Sequence, residues 1–295
     1  MTTQFIDPGG QGSRVHTTQA QIPRAVVIGW PVAHSLSPAI HGYWLHHYGL
    51  AGSYEKLAVT PEDLHVTLAN LKRLRFVGAN VTIPHKTAAM EAVDRVTDVA
   101  RRIGAVNTLY YEGDTLVGDN SDGVGFIENL RRNAPSWTPT SGPAAVLGAG
   151  GAARAVIVAL LDAGVPELRL FNRTAARAET LAEAFGPRVR PGLWERRAEE
   201  LEGMALLVNT TALGMVGQPP LELDLRALPS SAVVNDIVYK PLETDLLAAA
   251  RARGNQAVDG LGMLLYQACP GFERWFGRRP DVTNDLRGEV LKAMA

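Results

Sequence analysis

Cysteine is almost absent. Cys269 is the only one in 295 residues, so no internal disulfide can form, which fits a reducing cytosol and a cytoplasmic protein. It lies in the apolar stretch Leu264-Leu265-Tyr266-Gln267-Ala268-Cys269 and reads as a small packing residue rather than a nucleophile. No apolar run is long enough to span a membrane. A dominant charge is also missing: 29 Lys and Arg against 30 Asp and Glu leave a net charge of −1. No basic stripe stands out, so nucleic acid is not an expected partner. The polar residues 1–23, rich in Gly, Thr and Gln, lack the apolar centre of a signal peptide and are expected to form a disordered extension. No repeat of fixed period is present. No metal set is evident either. His41, His46 and His47 share one short segment without a Cys or carboxylate at metal spacing, and read as surface or packing residues.

What the chain does have is enough apolar material, 46%, for two cores, with an ordinary 20% of charged residues. Ordered structure is expected from Arg24. Strands are expected at 25–29, 54–59 and 76–82, with helices at 38–48, from Pro61 to about Leu74, and from Pro84. These alternating units predict a small α/β domain with a largely parallel sheet. A hairpin around Glu112-Gly113-Asp114 follows, then a helix at 123–132 and a Pro/Ser/Thr-rich linker at 135–143. Beyond it, strands at 144–147, 168–171, 205–209 and 232–235 alternate with helices, a doubly wound pattern. Two helices after Gly260 are expected to return to the first domain. The predicted organisation is therefore 24–121 with 260–295 as one domain and 122–259 inserted as the other. Gly123 and Gly260, at the crossings, are natural hinge positions.

The most informative segment is the turn Gly148-Ala149-Gly150-Gly151-Ala152-Ala153, between the apolar strand 144–147 and a helix expected from Arg154. Such a turn lets backbone N–H groups and a helix N-terminus approach a pyrophosphate. Ala153 occupies the third-glycine position, where only close helix–strand packing is at stake. The next strand ends in Asn172-Arg173-Thr174. An acidic residue that would accept from a ribose 2′-OH is missing, and Arg173 and Arg177 suit a 2′-phosphate instead. The cofactor therefore reads as NADP(H).

Polar residues gather where the strands of the first domain end. They include Ser35 and Ser37, then Asn80, Thr82 and Lys86, then Asn107 and Thr108, then Asp122 in Gly118-Asp119-Asn120-Ser121-Asp122-Gly123. Hydroxyls, amides, a lysine and a carboxylate suit a small polyhydroxylated acid. Each residue also has a structural alternative. Ser37 and Asp122 can serve as helix N-caps, and Asn107 and Thr108 can stabilise a turn. Lys86 near a helix start would oppose the helix dipole, which favours a functional role.

Taken in order, these stretches resemble the shikimate dehydrogenase family from Arg24 onward. The resemblance rests on the Ser-x-Ser loop at Ser35 and Ser37, Asn-Val-Thr-Ile-Pro-x-Lys ending at Lys86, and Gly-Asp-Asn-x-Asp-Gly containing Asp122. It also rests on the Asn-Arg-Thr turn and Asp259-Gly260-Leu261-Gly262-Met263. It implies a two-domain α/β enzyme with a Rossmann-type NADP-binding domain, reducing 3-dehydroshikimate to shikimate in chorismate and aromatic amino acid biosynthesis. It further implies Lys86 and Asp122 as the catalytic pair, with Ser35, Ser37, Asn80, Thr82, Asn107, Tyr239 and Gln267 holding substrate. Around the cofactor it implies Gly148, Ala149, Gly150, Gly151, Ala152, Asn172, Arg173, Thr174 and Arg177. Thr210, Ala212, Leu213, Ile237 and Gly260 would line the nicotinamide side, and Asp98 matches a polar position sometimes tied to cofactor. Ala212 departs from the family, in which serine is common at that place. A quinate/shikimate or aminoshikimate dehydrogenase and a catalytically silent NADP-binding regulator are the alternatives. Asn172-Arg173 and Ser37 argue against quinate with NAD. Monomer and homodimer both fit.

Overall fold

The computed structural model describes residues 22–294, so the expected disorder of the N-terminal extension lies outside the described residues but for its last two positions. The first unit runs β1 (Arg24–Gly29), α1 (Ser37–His47), β2 (Ser53–Ala58), α2 (Leu64–Ala69), β3 (Gly78–Val81), β4 (Arg95–Val96), α3 (Asp98–Ile103), β5 (Thr108–Glu112) and β6 (Thr115–Asp119). Its strands form one sheet in the order β2-β1-β3-β5-β6-β4. β1 pairs in parallel with β2 and β3, and β4 with β6, whereas β5 is antiparallel to both β3 and β6. The sheet is thus mixed rather than largely parallel. The hairpin reverses at Gly113, whose φ of 62° suits glycine.

Two expected helices are shorter than the pattern suggested. Only Leu64–Ala69 of the stretch from Pro61 to Leu74 is α-helical. At its end the Asn70 side chain donates 2.8 Å to the Val66 carbonyl, and that local bond competes with continuation of the helix. After Pro84 there is only a 3₁₀ turn at Ala88–Met90. The carbonyl of Lys86 accepts from Val106 N–H at 2.8 Å, so it is not available to propagate an α-helix. The dipole argument for Lys86 lapses with that helix.

α4 (Asp122–Asn133) leads into the second unit: β7 (Ala144–Leu147), α5 (Gly151–Ala163), β8 (Leu168–Phe171), α6 (Ala175–Phe185), β9 (Val189–Gly192), β10 (Leu206–Asn209), β11 (Val233–Asp236), α7 (Asp245–Ala252) and β12 (Gln256–Val258). Here every strand pairing is parallel, in the order β12-β11-β10-β7-β8-β9. The chain winds outward from β7 through β8 and β9, then restarts on the other side at β10. That reversal opens a crevice at the carboxyl ends of β7 and β10. α5 begins at Gly151, three residues before the expected start, so the glycine turn runs directly into the first helical turn.

α8 (Leu261–Phe276) and α9 (Asn284–Met294) close the chain against the first unit. Leu261, Leu265, Phe272, Leu286 and Val290 pack with Ile40, Trp44 and Leu45 of α1. Trp275 Nε1 donates to the Leu109 carbonyl of β5 at 2.9 Å. α4 is shared differently: Phe126 and Leu130 belong to the core built on the parallel sheet. α4 and α8 approach so closely that a Cβ on Gly125 would stand 2.6 Å from both Gln267 Cβ and the Met263 carbonyl. Gly125→Ala is therefore expected to lower unfolding stability by about 1–3 kcal/mol through overpacking, although alanine is the better helix former. Urea unfolding checks this; an unchanged or higher midpoint would mean that the two helices separate freely.

Candidate active site

Lys86 stands on the turn after β3, and Asp122 is the first residue of α4. Their side chains meet, Lys86 Nζ to Asp122 Oδ2 at 2.6 Å. The second carboxylate oxygen accepts from Asn107 Nδ2 at 2.7 Å, and the same Asn107 nitrogen donates to Gln267 Oε1 on α8 at 3.1 Å. The orientation of that amide is fixed from behind. Asn107 Oδ1 accepts from Ser121 N–H at 2.9 Å and from Thr108 Oγ1 at 2.8 Å. Asp122 does not cap its own helix, since Ser121 occupies that position and the carboxylate faces Lys86 and Asn107. Ser37 is likewise inside α1 and makes no cap hydrogen bond. Its N–H lies 3.3 Å from Ser35 Oγ, which draws the two serines together.

All nine residues expected to act on substrate line one cleft of about 390 Å³: Ser35, Ser37, Asn80, Thr82, Lys86, Asn107, Asp122, Tyr239 and Gln267. Its far wall comes from the second unit, through Ala152, Ile237 and Tyr239, with Gly260 at the crossing. A Cβ at Gly260 would lie 2.1 Å from the Ile237 carbonyl, so glycine there is required by close approach. A second cavity of about 1060 Å³ adjoins the first, sharing Ser35, Ile237 and Tyr239, and is lined by Thr210, Ala212, Met215 and Lys56. Leu213 lines neither; it packs against the core beside α7. Asp98 also lines neither, lying exposed on α3 beside Arg101 at 3.2 Å.

The residues of the second unit fit a dinucleotide phosphate. Gly148 has φ 105°, and a Cβ there would be 2.7 Å from Thr210 Oγ1. A Cβ at Gly150 or Gly151 would meet nothing within 4 Å, so the backbone faces open space at the start of α5. Asn172 Oδ1 accepts from Ala149 N–H at 3.1 Å while its Nδ2 donates to the Thr174 carbonyl at 2.9 Å, which ties the glycine turn to the turn after β8. Arg173 and Arg177 are exposed beside that turn, and among the described residues neither is engaged in an ion pair. A cluster of three or more potential metal ligands is not found among the described residues. Nor is a helix there long and apolar enough to cross a membrane.

Asp236, at the end of β11, was not singled out by sequence. Its only signal was a polar residue closing an apolar strand. It is fully buried and accepts from Asn209 Nδ2 at 2.9 Å, Val238 N–H at 3.0 Å and Thr244 Oγ1 at 2.8 Å. Asn209 in turn accepts from Thr211 N–H and Oγ1 and donates to the Leu213 carbonyl. This pair shapes both loops that carry Thr210, Ala212, Ile237 and Tyr239. Cys269 is a buried packing residue whose thiol burial pushes up to about 12.

Comparison with known proteins identifies the family. A family model described as "Shikimate dehydrogenase substrate binding domain" matches residues 27–109. "Shikimate / quinate 5-dehydrogenase" matches 137–212, and "Shikimate 5'-dehydrogenase C-terminal domain" matches 260–285. A shikimate dehydrogenase (NADP(+)) of Paramagnetospirillum magneticum is 62% identical over 268 residues, 90% of this chain and 97% of that one. The chain belongs to the shikimate dehydrogenase family. Among solved structures of that family, the Thermus thermophilus shikimate 5-dehydrogenase in complex with NADP(H) and shikimate superposes with a TM-score of 0.81 at 41% identity, covering 92% of this chain and 99% of that one. The quinate dehydrogenase of Corynebacterium glutamicum in complex with NAD has a TM-score of 0.85 at 30% identity, covering 92% and 99%.

Burial pushes the Asp236 carboxyl up from 3.8 to about 6, its three donors offsetting only part of the desolvation. The folded state thus holds this proton longer than the unfolded chain. The resulting stabilisation is complete below pH 3.8 and is lost as pH rises through 6. Asp236→Asn keeps an acceptor for Asn209 and Val238, and Thr244 can reverse its hydroxyl. The variant should therefore gain about 2 kcal/mol on the wild type between pH 4 and pH 7. Denaturant titrations at both pH values test this; a constant difference would mean that the carboxyl ionises normally.

Proposed function

We propose that this chain catalyses the reversible NADPH-dependent reduction of 3-dehydroshikimate to shikimate in the cytoplasm. The observation that carries this is the Lys86–Asp122 pair, held by Asn107, which also donates to Gln267, in a cleft that continues toward the glycine turn. Bound NADPH would supply the hydride to the C3 carbonyl carbon. Lys86 would stabilise the negative charge that develops on the carbonyl oxygen and donate the proton that completes the hydroxyl. Asp122 orients the Lys86 ammonium and accepts from the neighbouring substrate hydroxyl. Ser35 and Ser37 would hold the substrate carboxylate, and Asn80, Thr82, Asn107, Tyr239 and Gln267 its hydroxyls. We assign residues 24–121 and 260–295 to the substrate domain and 122–259 to the NADP domain. The packing of Leu261 and Leu265 with α1, and of Phe126 and Leu130 with the parallel sheet, supports those limits.

NADP preference rests on Arg173 and Arg177, with Asn172 in place of an acidic residue. A steady-state assay crossing shikimate and quinate with NADP and NAD should find shikimate with NADP the best pair; higher efficiency with quinate or with NAD overturns the assignment. Arg173→Ala should weaken NADP about ten- to a hundredfold while sparing NAD, because a charge-assisted phosphate contact is lost. Equal loss for both cofactors would make Arg173 structural.

Lys86→Ala should keep Tm within a few degrees yet lower kcat by about two to four orders of magnitude. A nearly unchanged kcat with a raised KM would reassign Lys86 to binding and place the proton donor elsewhere.

A further inference from the structure

Tyr54 lies behind the substrate cleft and does not line it. It sits on β2, which is separated from β3 by β1. The row across the sheet at this level is Tyr54, Ala25, Gly78. Alanine and glycine leave that face low, and the rings of Tyr54 and Trp275 occupy it. A Cβ on Gly78 would come within 2.1 Å of Trp275 Nε1. The space lets the tyrosine cross β1 and reach Asn80 on β3, to whose Oδ1 its hydroxyl donates at 2.6 Å.

The direction of that hydrogen bond follows from the other end of the amide. Asn80 Nδ2 lies 3.1 Å from the Asn107 carbonyl, which can only accept, so the amide oxygen must face Tyr54 and the phenol must donate. Burial holds the Tyr54 phenol well above the usual range, so the proton stays on oxygen. The ring is clamped as well. His41 of α1 stacks on it at 4.0 Å between centroids and 11° between planes, with Trp44, Phe272 and Trp275 around the imidazole. Burial lowers the His41 pKa to about 3, outweighing the opposing influence of the nearby Asn80 side chain, and neither ring nitrogen reaches a partner in good hydrogen-bond geometry, so it is a neutral plate.

We propose that Tyr54 is a positioning residue for substrate, acting through Asn80: with the Asn107 carbonyl holding Nδ2, its hydroxyl pins the oxygen end of the Asn80 amide and leaves one lone pair of Oδ1 for a substrate hydroxyl. This rests on the reading of Asn80 as a substrate ligand. Without the phenol, the amide is held only at Nδ2, by the Asn107 carbonyl, and its oxygen loses its fixed donor. The effect should fall on shikimate and leave the cofactor untouched.

The test is a double-mutant cycle on the full-length protein, with shikimate varied at saturating NADP. Tyr54→Phe keeps the ring and its stack with His41. It should raise the KM for shikimate about tenfold, more than it lowers kcat, with the KM for NADP and Tm close to wild type. In an Asn80→Ala background the same substitution should change kcat/KM by less than about twofold, because the hydroxyl's hydrogen bond to Asn80 has gone and its remaining neighbour, Ser37, is the weaker influence on the buried phenol. An equal loss in both backgrounds overturns the proposal, as does a Tyr54→Phe enzyme with unchanged kcat/KM. Should Asn80→Ala itself leave the KM for shikimate unaltered, the substrate role of Asn80 fails, and the proposal fails with it at a distinguishable step. A rise in the KM for NADP matching that for shikimate would instead mark Tyr54 as a general packing residue.

Discussion

The way the Asn107 amide faces determines both contacts of the Asp122 carboxylate. Asn107 precedes β5, where its backbone carbonyl accepts from Val81 N–H and its N–H donates to the Asp119 carbonyl. The side-chain oxygen is taken by Ser121 and Thr108, so only the amino group remains for Asp122 and Gln267. With that donor on one oxygen, Lys86 meets the other. Asp122 is buried, and the Asn107 amide keeps its carboxylate hydrogen-bonded independently of Lys86. The Asn107 amide and both oxygens of the Asp122 carboxylate are therefore satisfied, the condition under which buried polar groups rigidify a site, while Lys86 at the cleft keeps N–H donors to spare.

That network is tied to the domain crossing by the contact of α4 with α8. Asp122 begins α4 and Gln267 lies in α8, where Gly125 and Gly262 let the two helices touch. Asn129 of α4 donates to the Asp259 carbonyl at 2.7 Å, just before Gly260. Gly123 and Gly260, expected as hinges, both sit in tight contacts instead. Gly123 lies inside α4 with Ala159 of α5 against it, and Gly260 lies against Ile237. α3 and α5 are fastened as well, by the two-pronged pair of Arg102 and Asp162 at 2.7 and 3.0 Å and by Arg154 Nε donating to the Ile103 carbonyl. The glycines are thus explained by packing, and backbone freedom is not needed to account for them.

Much of this was legible in sequence because it depends on local rules. A glycine turn between an apolar strand and a helix, and a polar residue closing each strand, are short-range patterns. They pointed to the glycine turn and to seven of the nine cleft residues; Tyr239 and Gln267 were implied only by the family resemblance. What was illegible depends on contacts far along the chain. The helix after Pro84 fails because Val106 claims the Lys86 carbonyl. The first sheet is mixed because a hairpin enters it between β3 and β4. Asp236 and Tyr54 look ordinary in sequence, because their hydrogen-bond partners Asn209 and Asn80 are each more than twenty residues away. Asp98 matched a family position, yet its side chain turns to Arg101 and solvent.

The same distinction bears on cofactor choice. Asn172 occupies the place where an acidic residue would read a ribose hydroxyl, but its amide already has two structural duties. It accepts from Ala149 in the glycine turn and donates to Thr174 in the next turn. A carboxylate could still accept from Ala149. It could not donate to the Thr174 carbonyl, and the two oxygens would repel at hydrogen-bond distance. The shape of both turns therefore depends on an amide at 172. On the proposed reading, discrimination between the two cofactors would be left to Arg173 and Arg177, which are exposed and form no ion pair among the described residues. Affinity for a 2′-phosphate would in this way be open to tuning at the arginines without disturbing the glycine turn, whereas a change at Asn172 would disturb both turns at once.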